Sequence, residues 1–392
     1  MEDFDIVSRQ KKECCGCGFC EKICPRNAIK MCSDEEGFSY PKIDKEKCIN
    51  CGLCIKNCPF LNAKCCEEKT IDICYVVKHK NKDVRLNSQS GAIFFACANL
   101  ILNRKGVIYG CVQDDNMNVV HIRAEDEVSI KKMCKSKYVQ SNIEDCFYKI
   151  KQDLMDGKYV LFCGTGCQVE AIINYCKFIK IDMSKLYTID IICHGVPSPL
   201  IFSEYLKWLR EKYGGDVTEF NFRDKSICGW DGHIETAKIN GKKYQLTYFR
   251  EIFHTDLCLR HSCYNCKYTC TKRNSDITIG DAWGIKTVMP KFNDNMGVSV
   301  LLVHSEKGNE LLKEIYQTCD VVKEDMKKFL QPNLKRPSVP KGDRKQFWNT
   351  FYSCGFEQII KEYGTIKLGK KAKSKIKYMI RKVLYGKKVY LP

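Results

Sequence analysis

CCGCGFCEKICP, residues 14–25, and CINCGLCIKNCP, residues 48–59, are two copies of one pattern, C-x2-C-x2-C-x3-C-P. The first places cysteines at Cys14, Cys17, Cys20 and Cys24 before Pro25; the second places them at Cys48, Cys51, Cys54 and Cys58 before Pro59. Two intervening residues let a looping backbone turn three sulfurs toward one centre. Gly16, Gly18 and Gly52 permit turns that a side chain would obstruct. Each proline then redirects the chain after the fourth thiol.

In bacterial-type ferredoxins this run gives three thiolates to one 4Fe-4S cluster and lends its fourth cysteine to the other. Cys14, Cys17, Cys20 and Cys58 are therefore expected on one cluster, and Cys48, Cys51, Cys54 and Cys24 on the second. Structural zinc is the competing reading, but zinc sites close with one or two C-x-x-C pairs and do not need eight cysteines in a repeated frame.

At 392 residues the chain has material for a substantial core beyond a head of about 65 residues. Of its 28 cysteines, 12 lie at or before Cys66. The start MEDFDIVSRQ has no basic n-region or apolar h-region, so a cytoplasmic protein with reduced thiols is expected. The longest apolar run, residues 92–102, is too short to span a bilayer. Net charge is +18, of which +10 falls in residues 361–392. There Ile376, Met379, Ile380, Val383 and Leu384 form a helical apolar stripe among lysines, as in a helix lying on an anionic membrane face or docking on the protein's own body. No stacking or groove-reading motif accompanies the charge, so no nucleic-acid partner is expected.

The rest of the chain reads as α/β. A strand is expected over Thr70–Lys78, followed by a helix over Ile93–Leu102 capped by Ser88 or Ser90, with Gly91 leaving its first amides open to an anion. Strands at 106–112 and 119–123 and helices at 125–134 and 143–155 lead to the strand 159–162 and the turn CGTGCQ. A second strand, 186–192, ends in CHGVPSP, so Cys167 and Cys193 stand at the tips of successive strands, where ligands collect in α/β sheets. Asn240-Gly241 predicts a type I′ hairpin. LCLRHSCYNCKYTC gathers Cys258, Cys263, Cys266 and Cys270 into a ligating pattern. Beyond Met326 the chain is proline-punctuated and basic, with little sign of a separate core.

SQSGAIF, SKYVQS, GTGCQ, DIICHGVPSP, NFRDK, LRHSCYNC and SDITIGDAWG, in this order behind the cysteine-rich head, resemble the coenzyme F420 hydrogenase/dehydrogenase beta-subunit family over roughly residues 14–305. The resemblance implies a ferredoxin-type domain (1–65) and then a mixed α/β flavin-binding domain in two parts (66–160 and 161–325), with a basic tail (326–392). It further implies FAD and a third 4Fe-4S cluster on Cys167, Cys193, Cys263 and Cys266, with Cys258 and Cys270 as rival ligands and zinc on Cys263, Cys266 and Cys270 as the bland alternative. Flavin phosphates are expected near Ser90 and Gly91, and the ring near Lys137, Tyr138, Gln140, Ser141, Gly164, Thr165 and Gly166. Two departures, Gly166 where the family usually has proline and Ala282 where a larger aromatic is common, leave the substrate open.

The implied function is an oxidoreductase passing electrons between a hydride carrier (reduced F420 or nicotinamide), FAD and the clusters, and on to a ferredoxin, another redox partner or a substrate, with a polysaccharide-synthesis setting typical of bacterial relatives. An electron relay without its own substrate site and a zinc-binding structural protein are the alternatives. No catalytic residue is assigned; Lys137, His194 and Asp281 are candidates for proton transfer, with His194 better read as supporting a neighbouring sulfur.

Overall fold

The computed structural model describes residues 9–63 and 71–365. Its strands are β1 (Ile29–Ser33), β2 (Ser39–Ile43), β3 (Ile73–His79), β4 (Val107–Gln113), β5 (Val119–Ala124), β6 (Val160–Thr165), β7 (Leu186–Ile191), β8 (Val217–Asn221), β9 (Glu235–Ile239), β10 (Lys242–Leu246), β11 (Ile277–Asp281), β12 (Ser299–Val303) and β13 (Cys319–Asp325). The fold is mixed α/β behind a ferredoxin-type head.

In the head, Gly18 (φ 76°) and Gly52 (φ 70°) adopt the left-handed conformation and start the one-turn helices Phe19–Lys22 and Leu53–Lys56. Their equivalence follows from the repeated motif, since each glycine occupies the same place after the second cysteine. β1 and β2 pair antiparallel from Ile29↔Ile43 to Ser33↔Ser39. Phe38 and Tyr40 are buried against Cys14, Cys20 and Cys54, which gives this small domain an apolar seat under its thiols.

Behind the head lies an eight-stranded sheet in the order β13-β3-β12-β11-β7-β6-β4-β5. Neighbours among β4, β6, β7 and β11 run parallel, and the outer pairings are antiparallel. The centre is parallel because β6 carries apolar side chains on both faces, as a doubly covered strand must. Leu161 faces a core built with the helix Ile93–Asn103, while Val160 and Phe162 face another built with Glu144–Met155 and Gly166–Phe178. Each such buried side chain contributes about 1.5–3 kcal/mol.

The chain divides into two compact units, residues 1–199 with 259–339, and 200–258 with 340–392. The large sheet draws strands from both sides of residue 160. In the second unit β8, β9 and β10 form an antiparallel sheet, and Asn240 (φ 48°) and Gly241 (φ 74°) make the expected hairpin turn. Phe202, Tyr205, Phe220, Phe222 and Phe249 stack into its aromatic core.

β13 was not expected from the sequence, and the segment beyond Met326 contributes buried side chains. Its helices Arg344–Cys354 and Phe356–Tyr363 bury Phe347, Trp348, Phe356, Ile359 and Ile360. The basic stripe at Ile376–Leu384 lies outside the described residues. Among the described residues no helix is long and apolar enough to cross a membrane.

Candidate functional site: two thiol-lined cavities

The first cavity is lined by Cys14, Cys17, Cys20 and Cys58, with Arg9, Phe19 and Phe60 around them. These are the four thiols that the crossed-ligand rule assigns to one cluster. Around the other set, the neighbouring Cys51 and Cys24 add to the effect of burial in raising the Cys54 thiol. Burial pushes the Cys14 and Cys54 thiols up and Cys20 well up. Several buried thiols are unfavourable as free anions, and a metal cluster relieves that by replacing their protons.

The second cavity opens at the carboxyl ends of β6 and β7. Its lining contains Cys167, Cys193, Cys263 and Cys266, together with Cys15 and Cys17 of the head, and it encloses about 660 Å³ counted with its mouth to solvent. β6 and β7 are adjacent and parallel, so the segments leaving them emerge side by side. Thr165 caps the helix Gly166–Phe178, with Gln168 bonding back to the Thr165 amide at 3.0 Å. That sets Cys167 in the first turn, with its sulfur 3.2 Å from the Thr165 hydroxyl. Cys193 follows β7 by two residues. Cys263 sits within the 3-10 turn His261–Asn265 and Cys266 directly follows it.

Burial lifts the Cys193 thiol to about 11, Cys263 to about 12 and Cys266 well above the normal range. Cys167 is lowered to about 7, first through a hydrogen bond with Cys15. Of the rivals, Cys270 turns its thiol to the Lys272 carbonyl at 3.2 Å, and Cys258 is buried within the second compact unit.

The donors around these sulfurs suit iron–sulfur ligation. Backbone N–H groups of Gly16, Ala28, Val196 and Tyr268 donate to Cys14, Cys24, Cys263 and Cys266 at 3.3–3.4 Å. The Arg9 guanidinium donates to Cys58 at 3.3 Å. Hydrogen bonds to cluster sulfurs are a main lever on reduction potential.

Arg260 joins the head to the sheet domain. It is 1% exposed, and its guanidinium donates to the Cys14 carbonyl (2.8 Å), the Ser39 carbonyl (2.9 Å) and Gln140 Oε1 (3.0 Å). It also lies 4.2 Å from the Tyr40 ring centre. A side chain on Gly16 would sit 2.6 Å from Arg260 Nη1, so glycine is needed for this close approach as well as for its φ of +67°.

The residues expected to hold a flavin fall in three places. Ser90 does not cap its helix, and neither does Ser88. The helix Ile93–Asn103 begins behind Ala92 in the left-handed conformation without a side-chain cap. The Ser90 hydroxyl instead donates to the Val298 carbonyl at 2.7 Å, and the Gly91 N–H donates to Ser299 Oγ at 2.9 Å. The start of β12 and the residue before it have taken the groups that the sequence reading left for an anion.

Lys137 donates to the Lys132 and Met133 carbonyls at 2.7 and 3.1 Å, closing the end of the helix Glu127–Met133. Burial lowers its ammonium to about 8, with Cys111 and Cys134 acting in the opposite direction. Tyr138 follows it in the same half-buried loop. Ser141 accepts from Gln168 Nε2 at 2.9 Å, and Gly164 faces Phe162 and Gln168. Gln140, Thr165 and Gly166 line the second thiol cavity, where Gln140 Nε2 donates to the Cys15 carbonyl at 3.1 Å. His194 lines it too, whereas Asp281 ends β11.

Sequence reading missed Cys15, Arg260 and His121. His121 is 7% exposed, bonds the Cys163 carbonyl through Nε2 at 2.9 Å and leaves Nδ1 without a partner. An extra cysteine inside the first motif and an arginine preceding LRHSCYNC's cysteines were the available signals.

Comparison with known proteins agrees with this architecture. Residues 13–62 match the model of the 4Fe-4S dicluster domain, and residues 157–328 match the model of the C terminus of the coenzyme F420 hydrogenase/dehydrogenase beta subunit. Among solved structures, a chain in the F420-reducing [NiFe] hydrogenase complex from Methanosarcina barkeri aligns with a TM-score of 0.46 and 14% identity, over 83% of this chain and 97% of that one. A search of curated proteins finds no match. The chain therefore joins a 4Fe-4S dicluster domain, the mark of an iron–sulfur electron-transfer protein, to a domain of the type found at the C terminus of the coenzyme F420 hydrogenase/dehydrogenase beta subunit.

Proposed function

We propose that the protein is an FAD-dependent oxidoreductase in which a third 4Fe-4S cluster, held by Cys167, Cys193, Cys263 and Cys266, connects a hydride-accepting site to the two clusters of the head. One observation carries this reading: those four thiols share a cavity whose wall is the first head motif. The bound flavin supplies the conversion between two-electron hydride chemistry and one-electron transfer, which clusters alone lack.

For the flavin ring, support comes from the loop 137–141 and the turn 164–166. Lys137 there holds a proton near neutral pH, with its ammonium lowered to about 8. The unpartnered Nδ1 of buried His121 is a second polar group awaiting a ligand. Thr165 and Gln168 fix the turn between this region and Cys167. A phosphate site at Ser90 and Gly91 is not carried forward, because the Gly91 amide is spent on Ser299. A reduced deazaflavin or nicotinamide fits the two-electron side, and a ferredoxin or another redox protein fits the head.

The test is iron, zinc and flavin per chain in anaerobically purified protein. Roughly twelve irons, for three four-iron clusters, with about one flavin are expected. Iron without flavin after reconstitution with FAD reduces the protein to a relay. A colourless protein carrying zinc removes the redox reading altogether.

A further inference from the structure

Cys14 and Cys15 are neighbours in sequence, but their thiols serve different spaces. Cys14 lines only the head cavity of the two, whereas Cys15 and Cys17 line both. The segment Cys15–Cys17 is therefore the partition between the two cavities. Cys15 has no place in the C-x2-C-x2-C-x3-C frame, so the head clusters do not require it. It is 7% exposed and packs with Phe60 and Tyr268, against Cys17, Cys167 and Cys266. Its side chain thus lies in the layer shared by Cys17 on the head side and Cys167 on the main-domain side.

The partition is held from both flanks. Gln140 donates to the Cys15 carbonyl, Arg260 donates to the Cys14 carbonyl and to Gln140, and Gly16 passes beneath the guanidinium with no room for a Cβ. Such bracing leaves the Cys15 sulfur little freedom to rotate away from either neighbour.

We propose that Cys15 is the electronic junction between the first head cluster and the main-domain cluster, a positioning residue whose S–H is shared between the ligand sulfurs of Cys17 and Cys167. In each transfer one electron leaves one cluster and enters the other; Cys15 keeps its proton and forms no bond to iron. Its effect is twofold. The polarisable sulfur fills the gap between two ligand sulfurs with a contact path, and the S–H donor withdraws charge from them and favours the reduced state of both clusters. This inference rests on the third cluster proposed above.

The experiment uses the full chain, purified anaerobically, with Cys15→Val to keep bulk and remove the donor, and Cys15→Ser to keep a donor. Cys15→Ala serves if the valine is not accommodated. Iron per chain is measured first, then each cluster's potential by EPR-monitored titration. Iron should stay at the wild-type level of roughly twelve. At a fixed potential the ratio of reduced to oxidised clusters should fall about three- to tenfold for two clusters in the valine variant, tenfold being 59 mV for one electron. The cluster containing Cys51 should not move, and serine should restore most of the shift. A loss of about four irons in the variants would make Cys15 a ligand and overturn the proposal. Full iron with unmoved potentials, or an equal shift in all three clusters, would overturn it as well. Wild-type protein with about eight irons would remove the third cluster itself, so that failure is distinguishable from failure of the junction.

Discussion

Replacing Arg260 by alanine should detach the head from the sheet domain before it unfolds either. The guanidinium is 1% exposed and serves three half-buried acceptors: the Cys14 carbonyl at 2.8 Å, the Ser39 carbonyl at 2.9 Å and Gln140 Oε1 at 3.0 Å. Two belong to the head and one to the main domain. An acceptor left buried without its donor costs about 1–3 kcal/mol. Loss of the cation over Tyr40 adds roughly 1–2 kcal/mol. Water entering the vacated space returns part of this, so the net cost is placed at about 3–5 kcal/mol, the range for breaking a buried charged contact from one side.

That cost should appear locally, because strands β6 and β7 are held by their own ladder and by two cores. Hydrogen exchange is the suitable assay. Amides of β1, β2 and the first motif should open at least about a hundredfold more often, since 1.4 kcal/mol is a factor of ten, while β6 and β7 stay protected. Arg260→Lys keeps a charge but cannot reach three acceptors with one ammonium, and should cost about 1–3 kcal/mol. Head amides within threefold of wild type in the alanine variant, or an equal loss across both domains, would refute the bracing role.

Other outcomes follow from single contacts. Gly16→Ala places a carbon 2.6 Å from Arg260 Nη1 at a φ of +67°, so it should weaken the same docking by about 1–3 kcal/mol and lower iron retention. Burial holds His121 neutral, with its folded value near 4. The unfolded state then takes a proton first as pH falls from about 6.5, and up to about 3 kcal/mol is lost by pH 4; His121→Gln should flatten that limb in pH-dependent denaturant melts. Glu235 runs the other way. Burial raises it to about 7, so its contribution is present below its unfolded value and is lost as pH rises through 7; Glu235→Gln, which can still accept from the Arg250 amide, should remove that slope.

Much of the fold was readable because its signals are local. The repeated motif dictated the head, Asn240-Gly241 dictated a hairpin, and the apolar runs of β6 and β7 dictated a covered parallel centre. The failures came from distant competition. Ser90 looked like a cap until Val298 and Ser299, more than two hundred residues later, claimed its hydroxyl and the next amide. β13 is half-polar because it pairs only with β3, and an edge strand carries less apolar pattern than a central one. The candidate site divides the same way. Cys167, Cys193, Cys263 and Cys266 could be nominated from motifs, but Arg260 shows no pattern that announces a contact with residues 14 and 39.

The four thiols of the second cavity arrive as two unequal halves, and that inequality predicts how cluster assembly is ordered. Cys167 and Cys193 are anchored by adjacent parallel strands. Cys263 and Cys266 ride on a single 3-10 turn, and the residue before that turn is Arg260, whose other end grips the first head motif. Anything that loosens the first motif therefore loosens half of the neighbouring ligand set, whereas the second motif has no such connection through Arg260. Cys17→Ser should consequently cost more than its own four irons, because the main-domain cluster loses its support. Cys51→Ser, at an exposed position of the second motif, should cost only about four. Iron and acid-labile sulfide per chain, measured on both variants prepared side by side, decide the matter, and equal losses would mean that the two halves assemble independently.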